Sequence, residues 1–270
     1  MSAVLAGAAR IEQRIQERIE DRSGGARLAF LGTSALLFAA AASGTILWGT
    51  SMSDMGEMPM PGGWTMSMIW MRMPGQTWSS VGAVFLGMWT AMMVAMMLPS
   101  LVPALWRYIV GSTRSALLAA LIGAGYFFVW IALGVAMFGL GIALAALEMR
   151  EPELARAVPI TAGAIVFAAG LLQFTPWKAH HLALCREVPC SPEDAFEAWR
   201  CGLRLGVHCC LCSAGSTAVL LVVGMMDLRT MAAVAAAITL ERLAPARQRS
   251  VWAIGAITVG AGLFFIISAA

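Results

Sequence analysis

The chain has 270 residues, of which 60% are hydrophobic and only 12% are charged. Soluble domains carry about 25% charged residues, so the composition excludes an ordinary soluble domain and predicts an integral membrane protein. The formal net charge of +3 does not indicate nucleic-acid binding, because acidic residues largely offset the arginines near the N-terminus.

Residues 9–22 predict an amphipathic helix with a narrow apolar stripe. Isoleucines and arginines each recur every four positions, as Ile11, Ile15 and Ile19 and as Arg10, Arg14, Arg18 and Arg22. The Ser-Gly-Gly run at 23–25 is expected to end this helix. We therefore expect residues 1–27 to form a cytoplasmic helix on the membrane surface, with its arginines toward lipid headgroups.

Seven apolar segments follow, at about 28–49, 78–98, 115–147, 157–175, 203–226, 230–244 and 250–268. A membrane span needs about 20 apolar residues, so the sixth segment is short and the third is long enough to tilt. The sequence predicts an all-α, polytopic membrane bundle of about seven transmembrane helices over residues 28–270.

The basic residues predict the sidedness of this bundle. With a cytoplasmic N-terminus, 14 of the 18 Lys and Arg residues fall in inner segments and 4 in outer ones, as the positive-inside rule requires. A count of five spans would keep the same alternation. The sequence predicts a multi-pass protein of a bacterial-type inner (plasma) membrane. Membrane lipid is therefore one expected partner.

The first outer loop, about 50–77, is rich in methionine, and 13 of the chain's 19 methionines lie between residues 52 and 97. Thioethers are soft ligands that suit Cu(I). Four of them are candidate copper ligands: Met52, Met55, Met58 and Met60. Alternatively, the second half of the loop enters the membrane interface, with these side chains as anchors: Trp64, Met66, Met68 and Trp70.

A second methionine group lies in the second span, where four methionines fall within six positions: Met92, Met93, Met96 and Met97. Methionine also fills gaps in any apolar core, so these residues alone prove little.

All six cysteines and all three histidines lie between residues 180 and 212. The fifth span opens with the candidate ligands His208, Cys209 and Cys212, since imidazole and thiolate suit Cu(I) or zinc. His208 and Cys212 are i,i+4 neighbours on a helix, and Cys201 would share their face. Two alternatives are that the cysteines only pack between helices, or that Cys209 and Cys212 form a redox pair. A role in binding is left open for four residues of the inner loop 176–202: His180, His181, Cys185 and Cys190.

Membrane depth connects the two spans. Met92–Met97 and His208–Cys212 each lie within about 12 Å of the inner end of their span, at 1.5 Å rise per residue. If the two helices touch, these side chains form one mixed sulfur and nitrogen site for copper, expected as Cu(I), in the inner leaflet.

Charges at the ends of the sixth span are the last feature. Asp227 is expected to cap the N-terminus of this span. Glu241 is either a proton or metal group or half of a surface pair with Arg242, and Arg242 is expected to be solvated.

Four motifs together resemble the DUF2182 family of metal-binding integral membrane proteins, described as copper-chaperone-like. They are W-x-x-M-x-x-A-M-M-x-P at 89–99, Q-x-T-P-x-K at 173–178, G-x-x-C-x-x-C at 206–212 and E-R at 241–242. The resemblance covers residues 30–268 and implies a metal, with copper favoured. Arg242 stands where lysine is expected and Asp227 where asparagine is expected.

Two functions remain. In the first, the protein acquires Cu(I) through the outer methionines and holds or transfers it at the inner-leaflet site, together with a copper-donor or copper-acceptor protein. In the second, it is an accessory subunit or assembly factor of a larger membrane complex, such as a copper-dependent oxidase or monooxygenase. No nucleophile–base set, phosphate loop or dinucleotide motif favours an enzyme.

Overall fold

The computed structural model describes residues 2–53, 57–67, 70–72, 75–110, 115–186, 192–224, 227–243 and 247–269. The helices over these ranges are α1 (Ser2–Ser53), α2 (Trp78–Val110), α3 (Ser115–Arg150), α4 (Pro152–Leu172), α5 (Pro176–Arg186), α6 (Ala195–Cys212), α7 (Ala214–Val223), α8 (Leu228–Leu243) and α9 (Arg247–Ala269). The strands β1 (Glu57–Pro59) and β2 (Thr65–Ser67) form an antiparallel hairpin in the outer loop. The all-α class is confirmed, with this small hairpin as its one addition in the described ranges.

The described residues contain five helices long and apolar enough to cross a membrane, and a bent pair that would make a sixth. The five are Arg27–Ser51, Trp78–Trp106, Ala116–Arg150, Pro152–Leu172 and Gln248–Ala269, and the pair is α6 with α7. This finding fits a membrane protein. The predicted sixth segment corresponds to α8, which has only 16 residues, so a count of seven stays a prediction.

The predicted end of the first helix at residues 23–25 is wrong, because α1 runs without a break from Ser2 to Ser53. Two glycines inside a helix cost about 1 kcal/mol each relative to alanine. Because no proline follows these glycines directly, this cost does not end the helix, and the apolar run 28–49 continues it. The span part of α1 packs on α2, with the Phe30 and Trp106 rings 5.7 Å apart.

Glycines bring two helix pairs into close contact. A Cβ atom on Gly125 of α3 would lie 2.6 Å from the Trp199 carbonyl oxygen, and one on Gly206 of α6 would lie 2.9 Å from the Tyr126 carbonyl oxygen. Small residues let helix backbones approach in this way in lipid. The contact between α3 and α6 sets Tyr126 beside the cysteines of α6. Another close pair is α4 with α9, where a Cβ atom on Gly170 would lie 2.6 Å from the Val259 backbone nitrogen.

The apolar run of the fifth segment is broken in the structure. It forms α6 and α7, which bend by 61° at Ser213. The Cys209 carbonyl oxygen accepts hydrogen bonds from the Ser213 backbone nitrogen at 3.0 Å and from the Ser213 hydroxyl at 2.6 Å. Cys212 therefore lies at a helix break, a position that membrane proteins often use for binding sites.

Side-chain caps fix the start of two of these helices. The Asp194 carboxylate accepts a hydrogen bond from the Glu197 backbone nitrogen at 2.7 Å and begins α6. The predicted cap of α8 is confirmed: the Asp227 carboxylate accepts from the backbone nitrogens of Arg229 at 3.0 Å and Thr230 at 3.2 Å. Hydrogen bonds from Thr230 and the Arg229 backbone hold the pKa of Asp227 below its usual value, as expected for a carboxylate at a helix N-terminus.

Candidate metal centre

The methionines of α2 are all buried, and one of them reaches the cysteines. Met92, Met93 and Met97 are each at most 1% exposed, and Met96 is 4% exposed. The Met97 thioether sulfur lies 3.9 Å from the Cys209 Sγ atom. The expected contact between the second and fifth spans is therefore present, through Met97. Met92, Met93 and Met96 belong to the same hydrophobic core, where they also fill space between helices.

Cys209 is the centre of this cluster. Its side chain is fully buried. The Tyr126 hydroxyl lies 2.9 Å from the Cys209 sulfur, and the Arg242 Nη2 atom donates to the same sulfur at 2.5 Å. Side chains from α2, α3 and α8 therefore meet at the Cys209 thiol.

Cys212 and Cys185 form a second sulfur pair beside it. Their Sγ atoms are 3.2 Å apart, and both thiols are free and buried. The Cys212 sulfur is also 3.7 Å from the Arg242 Nη2 atom. Cys185, whose role the sequence left open, is therefore part of the cluster. Cys190 lies outside the described residues, and Cys201 is buried and disulfide-bonded, which removes it from the candidate thiols.

The expected solvated position of Arg242 is wrong. Arg242 is only 7% exposed, and its Nη1 atom donates to the Ser100 hydroxyl at 2.8 Å. That hydroxyl in turn donates to the Met97 carbonyl oxygen at 2.9 Å. The guanidinium, held between α2 and α6, places a positive charge on the sulfur cluster. A buried charge of this kind is costly unless it has partners, and it marks a functional site by default.

Glu241 is buried as well, and it pairs with Lys178 rather than with its neighbour Arg242. The Lys178 Nζ atom lies 2.8 Å from the Glu241 Oε2 atom, and the two side chains are 4% and 3% exposed. The pair connects α5 to α8. A cavity of about 340 Å³ beside it is lined by Gln173, Lys178 and Gln248, among others.

The ring contacts of His208 are with His181 of α5. The Nδ1 atoms of these two histidines are 3.2 Å apart, and the His180 ring centroid lies 5.3 Å from that of His181. All three histidines of the chain therefore gather at this position. Burial and the neighbouring His208 and His180 lower the pKa of His181, which favours the neutral form of its imidazole.

The outer methionines lie far from the thiols along α2. Met58 and Met66 are cross-strand partners in the hairpin, and Met60 follows β1 and is half-buried. Met97 is 19 positions after Trp78 at the start of α2, which corresponds to about 28 Å of helix. Met52 lies at the end of α1, but its side chain is outside the described part of the structure. Met55 lies outside the described residues altogether.

Two tryptophans of the loop make contacts within the protein, and their role as membrane anchors stays a prediction. The Trp64 indole nitrogen donates to the Ala155 carbonyl oxygen of α4 at 2.8 Å. Trp70 packs against Phe85 with ring centroids 5.4 Å apart. Phe85 and Trp89 also stack, at 5.9 Å, so aromatic rings occupy the core between the hairpin and the inner methionines.

The sulfur distances can be compared with metal geometry. A trigonal metal with bonds of about 2.3 Å to sulfur holds its ligands about 4.0 Å apart. The 3.9 Å between Met97 and Cys209 fits that value. The 3.2 Å between Cys185 and Cys212 is shorter, so this pair must open by about 0.8 Å to share such a metal. No group of three His, Cys, Asp or Glu side chains in the described ranges is arranged for a metal ion, and a site here needs the thioether.

Sequence reasoning missed three residues of this centre: Tyr126, Arg242 and Lys178. Tyr126 is one of only two tyrosines in the chain and lies inside an apolar span. A tyrosine hydroxyl in such a span needs a hydrogen-bond partner, so the sequence already indicated that Tyr126 contacts a polar group.

Comparison with known proteins decides the family. A model of the PpoB2 family, described as a copper chaperone, matches residues 86–265. The chain belongs to this family. The match includes Met97, Cys209 and Arg242, and it begins after the outer methionine loop. No curated protein and no solved structure matches the chain. A copper-related function follows from the family, and the buried centre lies in the matched part.

Proposed function

We propose that the protein is a membrane copper chaperone that holds Cu(I) at Cys209, Cys212 and Met97, with Cys185 available as a further thiolate. The observation that carries the proposal is the convergence of two of these sulfurs on one buried guanidinium, with Arg242 Nη2 2.5 Å from Cys209 and 3.7 Å from Cys212. Soft sulfur ligands select Cu(I).

The charges support the monovalent ion. Cu(I) with two thiolates carries a net charge of −1, and a buried net charge is costly. The Arg242 guanidinium brings the total to zero. A divalent ion on the same two thiolates would bring the total, with Arg242 included, to +1, so a centre of two thiolates favours Cu(I) over Zn(II) and Cu(II) on electrostatic grounds. With Cys185 as a third thiolate this preference is lost.

We also propose a route by which copper reaches this centre. The outer loop methionines Met52, Met55, Met58 and Met60 acquire copper, and the column Met92, Met93 and Met96 lies between the loop and the thiols. The N-terminus is cytoplasmic, the protein lies in a bacterial-type inner membrane with seven spans, and the thiol end faces the cytoplasm. Copper passes to or from a copper-donor or copper-acceptor protein on that side.

The test is Cu(I) binding by the purified protein under reducing conditions. The double variant Cys209→Ser/Cys212→Ser is expected to lose the high-affinity Cu(I) that the wild-type protein retains against a chelator. Cys210→Ser is the matched control, because Cys210 is a half-buried free thiol between them and no part of the cluster. An unchanged Cu(I) affinity in the double variant would contradict the proposal.

The second function, an assembly factor or accessory subunit of a copper-dependent complex, keeps support from the family description alone. The glycines at the close helix contacts pack within the chain, as α3 on α6 and α4 on α9. Co-purification of a copper enzyme with the wild-type protein would favour this function over copper handling by the chain alone.

A further inference from the structure

Helices α5 and α6 carry the same pair of donors at the same spacing. His181 and Cys185 are four residues apart on α5, and His208 and Cys212 are four residues apart on α6. Residues at i and i+4 lie on one face of a helix. Each helix therefore presents an imidazole followed, one turn later, by a thiol.

The two faces meet in register. The His181 and His208 Nδ1 atoms are 3.2 Å apart, and the Cys185 and Cys212 Sγ atoms are also 3.2 Å apart. The structure thus has two rungs, an imidazole rung and a thiol rung. They are separated by about 6 Å along the helices, at 1.5 Å per residue.

We propose that the imidazole rung, His181 with His208, is a second copper site, distinct from the buried sulfur centre. A metal with bonds of about 2.0 Å to nitrogen holds two ligands about 3.3 Å apart in tetrahedral geometry and about 3.5 Å apart in trigonal geometry. The observed 3.2 Å is close to both.

Exposure differs between the rungs. His181 and His208 are half-buried, whereas Cys185 and Cys212 are buried. The imidazole rung is therefore the more accessible end of the ladder. Imidazole is a borderline ligand and thiolate a soft one, so Cu(I) gains affinity as it moves from the first rung to the second. This transfer involves no change of oxidation state. The direction of transfer rests on the proposed copper function, but the presence of the imidazole site does not.

The experiment uses the full-length protein with an affinity tag that contains no histidine. The chain has only three histidines, so any imidazole signal comes from this cluster. Cu(I) is added under reducing conditions, and the bound copper is counted and examined by X-ray absorption. The wild-type protein is expected to bind a first Cu(I) with sulfur ligands and a second with imidazole nitrogen ligands.

Two sets of variants separate this site from the sulfur centre. His181→Asn/His208→Asn is expected to lose the nitrogen-coordinated copper and keep the sulfur-coordinated one, and Cys209→Ser/Cys212→Ser to do the reverse. His180→Asn, whose ring is exposed, is the matched control and keeps both ions. A wild-type protein whose bound copper shows no imidazole scattering would overturn the proposal without any variant. So would a second copper that persists in the double histidine variant.

Discussion

At the scale of single residues, Arg242 decides the charge of the proposed copper centre. Its two terminal nitrogens contact Ser100 and Cys209 at the same time. A planar, forked guanidinium can hold two partners in fixed geometry, which the point charge of a lysine cannot. The arginine at this position therefore supplies both a compensating charge and a fixed position for Cys209.

Replacing Arg242 separates these two contributions. Arg242→Gln is expected to weaken Cu(I) binding by about 10- to 100-fold, because a hydrogen bond to a charged group contributes roughly 1.5–3 kcal/mol. Arg242→Lys keeps the charge and is expected to lose less affinity. Chelator competition for Cu(I) at neutral pH measures both.

The control for this series is Ser100→Ala. It removes the hydrogen bond from the guanidinium to a neutral hydroxyl but leaves the positive charge beside the sulfurs, so Cu(I) affinity should fall less than in Arg242→Gln. Equal affinity in wild-type protein and Arg242→Gln would contradict the charge argument.

At the scale of helices, the buried pair Lys178–Glu241 attaches α5 to α8. Removing one partner leaves an uncompensated buried charge, which typically costs about 3–5 kcal/mol, whereas replacing both by apolar residues of similar volume is often neutral. Lys178→Met and Glu241→Leu are each expected to lower the thermal unfolding midpoint in detergent. The double variant is expected to recover most of the loss.

An exposed ion pair in the same chain serves as the control. Arg156 and Glu153 form a pair on α4 with side chains 62% and 82% exposed, and such surface pairs contribute little. Glu153→Gln should leave the unfolding midpoint nearly unchanged. Additive losses in the Lys178 and Glu241 variants, with no recovery in the double variant, would show that the pair does not act as a unit.

Helix periodicity and topology predicted much of this arrangement. The shared depth of Met97 and Cys209 followed from helix rise and the direction of each span. The burial of Arg242 did not follow, since a Glu-Arg pair near a helix end is usually solvated and its environment depends on how α8 packs on α2. The break at Ser213 was also hidden, because the apolar run continues through it and the bend depends on side-chain hydrogen bonds to one carbonyl.

At the scale of the whole molecule, two observations point to opposite compartments for the thiol end. Fourteen of the 18 basic residues lie on that side in the predicted topology, which favours the cytoplasm. The disulfide of Cys201 is typical of an oxidising compartment. Basic residues act on every span during insertion, whereas one disulfide needs only local oxidation. We therefore expect the charge bias to decide the orientation.

The span count depends on α8. Asp227 caps one end of this helix, and Arg242, at the other end, contacts Ser100 in the C-terminal half of α2. Its 16 residues extend about 24 Å, which is most of a hydrocarbon core of about 30 Å. Because its length covers most of the hydrocarbon core, we expect α8 to cross the bundle as a seventh span, with Asp227 and Arg242 on opposite sides.

Seven spans place the two chain ends on opposite sides of the membrane, whereas six place them on the same side. With α8 as a span, a reporter at the N-terminus is expected to be cytoplasmic, and reporters fused after Asp227 and after the end of α9 are expected to be external. A C-terminal reporter found in the cytoplasm, with the N-terminal one also there, would show that α8 does not cross. Both reporters outside would reverse the orientation and agree with the disulfide instead of the charge bias.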